Sequence, residues 1–256
     1  QKFERGGIYR FTVDVTKGNT KAVLTVEKVG KVDLPAPDIF FGNDKMEVTD
    51  TDIYKSEQVF TQGQMITVTG IDNLNEWWID PDFFEKQSDG ALKFLPSNGD
   101  YRVTANAVLK YFSVMALKDG KPAKLQDDGT GAIWAIGKGI GKPSVASSEV
   151  GWEPGKALCL AQVAPKKYQL TLKAGETLKT SGDPEVISFK FFHQNDWGGE
   201  FGNYANSILV EQLKLADSGN LEMQDNKAFE EGAVYRFTID VTNGNANADL
   251  KVEKIN

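Results

Sequence analysis

Residues 3–30 and 229–256 are two copies of one segment, 226 residues apart, aligned without a gap and identical at 17 of 28 positions. This repeat constrains the fold most, because each copy carries a complete strand-turn-strand pattern. In the first copy Tyr9, Phe11, Val13 and Val15 alternate with Arg10, Thr12 and Asp14, the period-two signature of a half-buried strand. Lys17, Gly18 and Asn19 supply a turn, and Ala22, Leu24 and Val26 continue on a returning strand. Two strands alone are only marginally stable in water. At the C-terminus the hairpin closes a domain. The copy at residues 1–31 is expected to be the tail of a preceding module, to pair with a sheet downstream, or to be exchanged between molecules.

Between the copies the pattern stays strand-like. Leu34 to Pro37 reads as a stiff linker, since its two prolines favour extended backbone and cannot donate to a ladder. From residue 37 to 128, segments 58–61, 65–69, 91–95, 101–105 and 110–116 are predicted strands. Gly63, the run from Pro96 to Gly99, and Asp119 with Gly120 punctuate them. With no apolar stripe of helical period, an immunoglobulin-like β-sandwich is expected there. Residues 129–256 carry about seven further strand patterns, enough for a second sandwich. The fold class is therefore all-β, with tandem sandwiches.

Several function classes fall away on composition. A net charge of −7 over 256 residues lacks the basic face that nucleic acid requires. No apolar run is long enough to span a bilayer as a helix. No signal-peptide pattern precedes the first strand, so a removed leader or a start inside a longer protein is expected. Cys159, among apolar neighbours, reads as a core thiol. The glycine-rich stretch from Gly137 to Pro143 looks like a phosphate loop but is not one. Pro143 follows Gly141 and Lys142 where Ser or Thr is needed, and Lys142 takes the third-glycine place of a dinucleotide fingerprint. No cofactor is expected.

The segment from Val186 to Tyr204 is the best candidate site. Ile187, Phe189 and Phe191 share one face of a strand, with Ser188 and Lys190 on the other. A polar run from His193 through Gln194, Asn195 and Asp196 then breaks the alternation. Trp197, Phe201 and Tyr204 follow, spaced by Gly198, Gly199 and Gly202. Aromatic rings beside amides and carboxylates suit sugars, which have apolar faces and hydroxyl edges. Trp152 lies in a Gly/Pro-bounded loop, and Lys190 is expected to face solvent. A second aromatic cluster, Trp77, Trp78, Phe83 and Phe84 around Asp80 and Asp82, reads either as a second ligand surface or as a wedge between sheets or domains.

Other chemistry is less well served. Asp196 and Glu200 supply the carboxyl pair a glycosidase needs, without the rigidity. A Ser/His/Asp site would rest on His193, the single histidine, and no nucleophile elbow exists. Asp196, Glu200 and Asn203, or the pairs Asp50 with Asp52 and Asp127 with Asp128, have no recognised calcium-loop spacing, so no metal is expected.

The order of segments 133–137, 151–152, 167–172, 189–191 and 235–241 resembles the repeated module of the SusE/SusF-like outer-membrane lipoproteins of Bacteroidetes glycan-utilisation systems. The resemblance covers residues 129–256; residues 1–31 resemble the end of such a module, and residues 37–128 resemble the family's spacer domains loosely. It implies non-catalytic binding of polysaccharide or oligosaccharide at the cell outer membrane beside a SusC/SusD-type transporter. Trp152, Lys190 and Trp197 are the residues it carries over. The family's lipid-bearing cysteine is absent, which fits a chain without its anchor, and the 193–204 loop is long for the family. A spacer that binds no sugar is the alternative, and a glycosidase a weaker one.

Overall fold

Alternation builds most of the strands. Gly99–Asn106 buries Tyr101, Val103 and Ala105 and turns Asp100, Arg102 and Thr104 outward. It lies between Ile53–Phe60 and Tyr111–Lys118, in a five-stranded antiparallel sheet that Lys121–Pro122 and Glu47–Asp50 complete at its edges. The computed structural model describes residues 3, 4, 6–181 and 186–256; it is nearly all β, in several small sheets of the β-sandwich class. Residues 1, 2 and 5 of the expected N-terminal hairpin lie outside the described residues.

Two three-stranded sheets accompany the five-stranded one, and an aromatic core fills residues 37–128. Trp77 stacks on Phe112 at 4.6 Å, Phe60 on Phe94 at 4.9 Å, and Phe41 meets Phe112 edge-on at 5.2 Å. This corrects the reading of Trp77, Phe83 and Phe84 as a ligand surface. All three are buried, Phe84 because its strand pairs with Leu92–Phe94. Trp78 is half-buried and donates its indole N–H to Glu176 across the seam to the second sandwich, at 2.9 Å.

That seam has a charged centre. Asp80 and Asp82 sit on one tight turn, where the Asp82 N–H bonds the Asp80 side chain at 3.0 Å. The Lys142 ammonium reaches both Asp80 oxygens at 2.8 Å and Asp82 at 3.0 Å. Asp82 also accepts from Gln169 at 2.7 Å and from the Thr171 N–H and hydroxyl at 2.6 Å each. All three charged side chains are buried. Burial pushes the Asp80 carboxyl up, against the pull of Lys142. Burial pushes Asp82 up too, but Lys142 and the bonds from Gln169 and Thr171 hold it below the ordinary range. Burial would lower Lys142, yet its two carboxylates keep it raised.

The second sandwich pairs a six-stranded with a five-stranded sheet. Between them Phe189 and Phe191 pack on Phe237 at 5.5 and 6.4 Å. Most of the glycine-rich stretch, Gly137 to Gly141, belongs to the strand Trp134–Gly141, which pairs with Ser188–Phe192. Gly137 lies so close to that neighbour that a Cβ there would come within 2.3 Å of the Phe189 Cα. The glycines serve strand packing. Trp134, at the head of this strand, is fully buried and donates to the Ala123 carbonyl at 2.9 Å, tying the segment after Lys121–Pro122 to the sheet.

The C-terminal hairpin, Val234–Asp240 with Asp249–Lys254, is built into the five-stranded sheet between Lys167–Lys173 and Asn206–Ile208. Among the described residues its N-terminal copy, Gly7–Asp14 with Val23–Lys31, stands alone as a two-stranded sheet.

Candidate functional site

The outer face of the six-stranded sheet follows from the register of three strands. Ser188, Lys190 and Phe192 share that face, while Phe189 and Phe191 point inward to Phe237. Lys190 lies opposite Ile136, and Phe192 opposite Trp134. On the far side Gly137 pairs with Gly151, and Trp152 follows directly on the end of that strand.

The loop after Phe192 doubles back on itself. The His193 N–H bonds the Gly199 carbonyl at 2.7 Å, and the Phe201 N–H bonds the Phe191 carbonyl at 3.0 Å. Gly198 and Gly199 take positive φ of 83° and 71°, which lets the chain reverse between these bonds. Within the turn Gln194 donates to the Trp197 carbonyl at 2.6 Å, and Asp196 accepts the Trp197 N–H at 2.8 Å. Two of the expected sugar-binding polar groups therefore shape the loop. Their effect is to fix Trp197.

Trp197 is 49% exposed. Its indole lies 6.3 Å from that of the half-buried Trp152, with 26° between the planes, and meets the buried Phe192 edge-on at 6.0 Å. Two indoles on a phenyl floor form a supported aromatic platform, with Lys190 on the same face and without an ion pair among the described residues. Beside it Gly151, Glu153, Lys138, Lys156 and Lys179 line a shallow groove of about 650 Å³ bordered by charged side chains.

The remaining expected residues divide. Phe201 is buried, with His193 against it edge-on at 4.2 Å and Tyr204 stacked on it at 5.8 Å. It is core, which corrects its placement among ligand contacts: the backbone bond to Phe191 draws it inward. The Tyr204 hydroxyl is buried too, and burial pushes it well above the usual phenol range. Asn195 is half-buried beside the turn. Sequence reading missed Phe192 as the floor; Phe192 stands at the period-two position of Lys190, and that was the available signal. Among the described residues no group of three or more His, Cys, Asp or Glu gathers as metal ligands. Cys159 is buried, and burial pushes its thiol up to about 12.

His193 gives a direct check on this packing. Burial holds its imidazole below the usual 6.5, and Nε2 has no hydrogen-bond partner among the described residues. As pH falls through 6.5 the unfolded chain takes up the proton first. The histidine therefore leaves stability intact above 6.5 and lowers it below. Its proton resonance, the only one of its kind in the chain, is expected to titrate below 6.5. A midpoint at or above that value would show that the ring is not packed on Phe201.

Residues 128–242 match the model of one family, the domain of unknown function DUF5121. Residues 15–125 match that of another, the domain of unknown function DUF5125. The chain carries a DUF5125 domain followed by a DUF5121 domain. The indole platform, Lys190 and the 193–204 loop all belong to the DUF5121 domain, and the Asp80–Lys142–Asp82 seam joins it to the DUF5125 domain. No curated protein matches the chain.

Proposed function

We propose that the chain binds polysaccharide or oligosaccharide without catalysis, on the outer face of the DUF5121 domain. The observation that carries this reading is the fixed, half-exposed Trp197 beside Trp152. A pyranose ring lays its apolar C–H face on such a platform. Its hydroxyls would meet Lys190 on one side and the carboxylates and ammonium groups of the adjoining groove on the other. Asp196 is engaged in holding the turn, which favours binding over hydrolysis.

In this reading the chain is a SusE/SusF-like surface protein of the cell outer membrane. It would present glycan to a SusC/SusD-type transporter. The buried ionic seam supports a second reading, a spacer that positions a partner, because it ties the two domains together.

Native gel electrophoresis in a panel of polysaccharides tests binding. Retardation by at least one glycan is expected, abolished by Trp197→Ala with the melting temperature unchanged. Passage through every polysaccharide without retardation supports the spacer.

A further inference from the structure

We propose that the apolar face of the N-terminal hairpin is a docking surface for a β-sandwich of the kind formed by residues 129–228. That sandwich lacks a closing hairpin of its own and lies on the N-terminal side in the same polypeptide.

The two copies of the hairpin have the same conformation. Gly18 and Gly244 take φ of 90° and 95°, and Gly6 and Gly232 take 70° and 80°. Phe3 meets Tyr9 edge-on at 4.8 Å, as Phe229 meets Tyr235 at 4.6 Å. The ion pair of Lys28 with Glu4 recurs as Lys254 with Glu230, each at 2.5 Å. Only the surroundings differ. Phe11 is 58% exposed and its counterpart Phe237 0%; Leu24 is 61% exposed and Leu250 1%. Val13 and Val15 are exposed, and their counterparts Ile239 and Val241 are buried. An apolar patch of this extent on a folded surface marks an interaction site.

The C-terminal copy shows what covers it. Phe237 packs on Phe189 and Phe191 of the opposing sheet, Lys167–Lys173 pairs along one edge, and Asn206–Ile208 along the other. Among the described residues neither edge of the N-terminal hairpin has a strand beside it. The direction from which a partner comes follows from the two families. The DUF5121 match ends at Thr242, whose counterpart in the first copy is Thr16, and the DUF5125 match begins at Val15. The first strand of the N-terminal hairpin thus stands where a DUF5121 domain ends and a DUF5125 domain begins. A second copy of the chain offers no vacant place, since its own hairpin fills the slot.

A fusion tests this: residues 1–228 followed directly by residues 3–256, with Thr20→Ala marking the internal hairpin by mass. Hydrogen exchange in that hairpin is expected to be at least about 100-fold slower than in the single chain. Phe11→Asp in the internal copy should abolish this protection and that of the Lys167–Lys173 strand before it, and should leave the single chain's exchange unchanged. An internal hairpin that exchanges as fast as in the single chain overturns the proposal, as does a first sandwich that fails to fold. Protection that appears in the single chain with rising concentration, alongside a dimer in light scattering, also overturns it and makes a second copy the partner.

Discussion

Replacing Lys142 by methionine is expected to destabilise the chain by about 3–5 kcal/mol, the usual effect of stranding a buried charge. The methylenes of methionine fill most of the space, so the loss reports charge. Asp80 and Asp82 would remain buried with no cation, although Gln169 and Thr171 still donate to Asp82. Without the lysine, burial is left to raise the Asp80 carboxyl further above its unfolded value near 3.8. A raised carboxyl binds its proton more tightly when folded. The deficit is therefore full above the folded pKa and shrinks as pH falls toward 3.8. Urea denaturation at neutral and at acidic pH checks both parts. A loss below about 1 kcal/mol, typical of exposed pairs, would mean that the seam is open to water.

Phe237→Ala is expected to cost about 3–5 kcal/mol, and Phe11→Ala within about 0.5 kcal/mol of nothing. The two residues occupy the same place in the repeat, within the same run from Tyr to Thr. Phe237 fills the space between two sheets against Phe189 and Phe191, so its removal leaves a cavity. Phe11 faces solvent. Denaturation of the two variants side by side measures environment at constant local sequence. Equal losses would show that the N-terminal hairpin is packed in the free chain.

This pair also shows how far the sequence could be read. Alternation in Tyr9 to Val15 and Tyr235 to Val241 specifies a strand in both copies, because side chains in extended backbone alternate whatever lies beside them. It says nothing of what covers the apolar face. The same limit hid the seam. Lys142 stands in a glycine-rich stretch and Asp80 and Asp82 in an aromatic cluster, but 60 residues separate Lys142 from Asp82 and nothing local joins them. In the 193–204 loop three aromatics were legible as a group. The glycine turn then sent Trp197 outward and Phe201 inward, a division set by backbone bonds to Phe191 and Gly199. Gln194 and Asp196 were read for the ligand chemistry of their side chains and instead bond the backbone of Trp197.

Trp197→Ala tests the proposed binding most directly, since that indole is half exposed and held by its own turn. With an oligosaccharide of whichever polysaccharide retards the protein, titration calorimetry is expected to give an affinity at least about tenfold weaker for the variant, the order of one aromatic contact. The variant's melting temperature should match that of the unaltered chain. Equal affinities for the two proteins would contradict the platform.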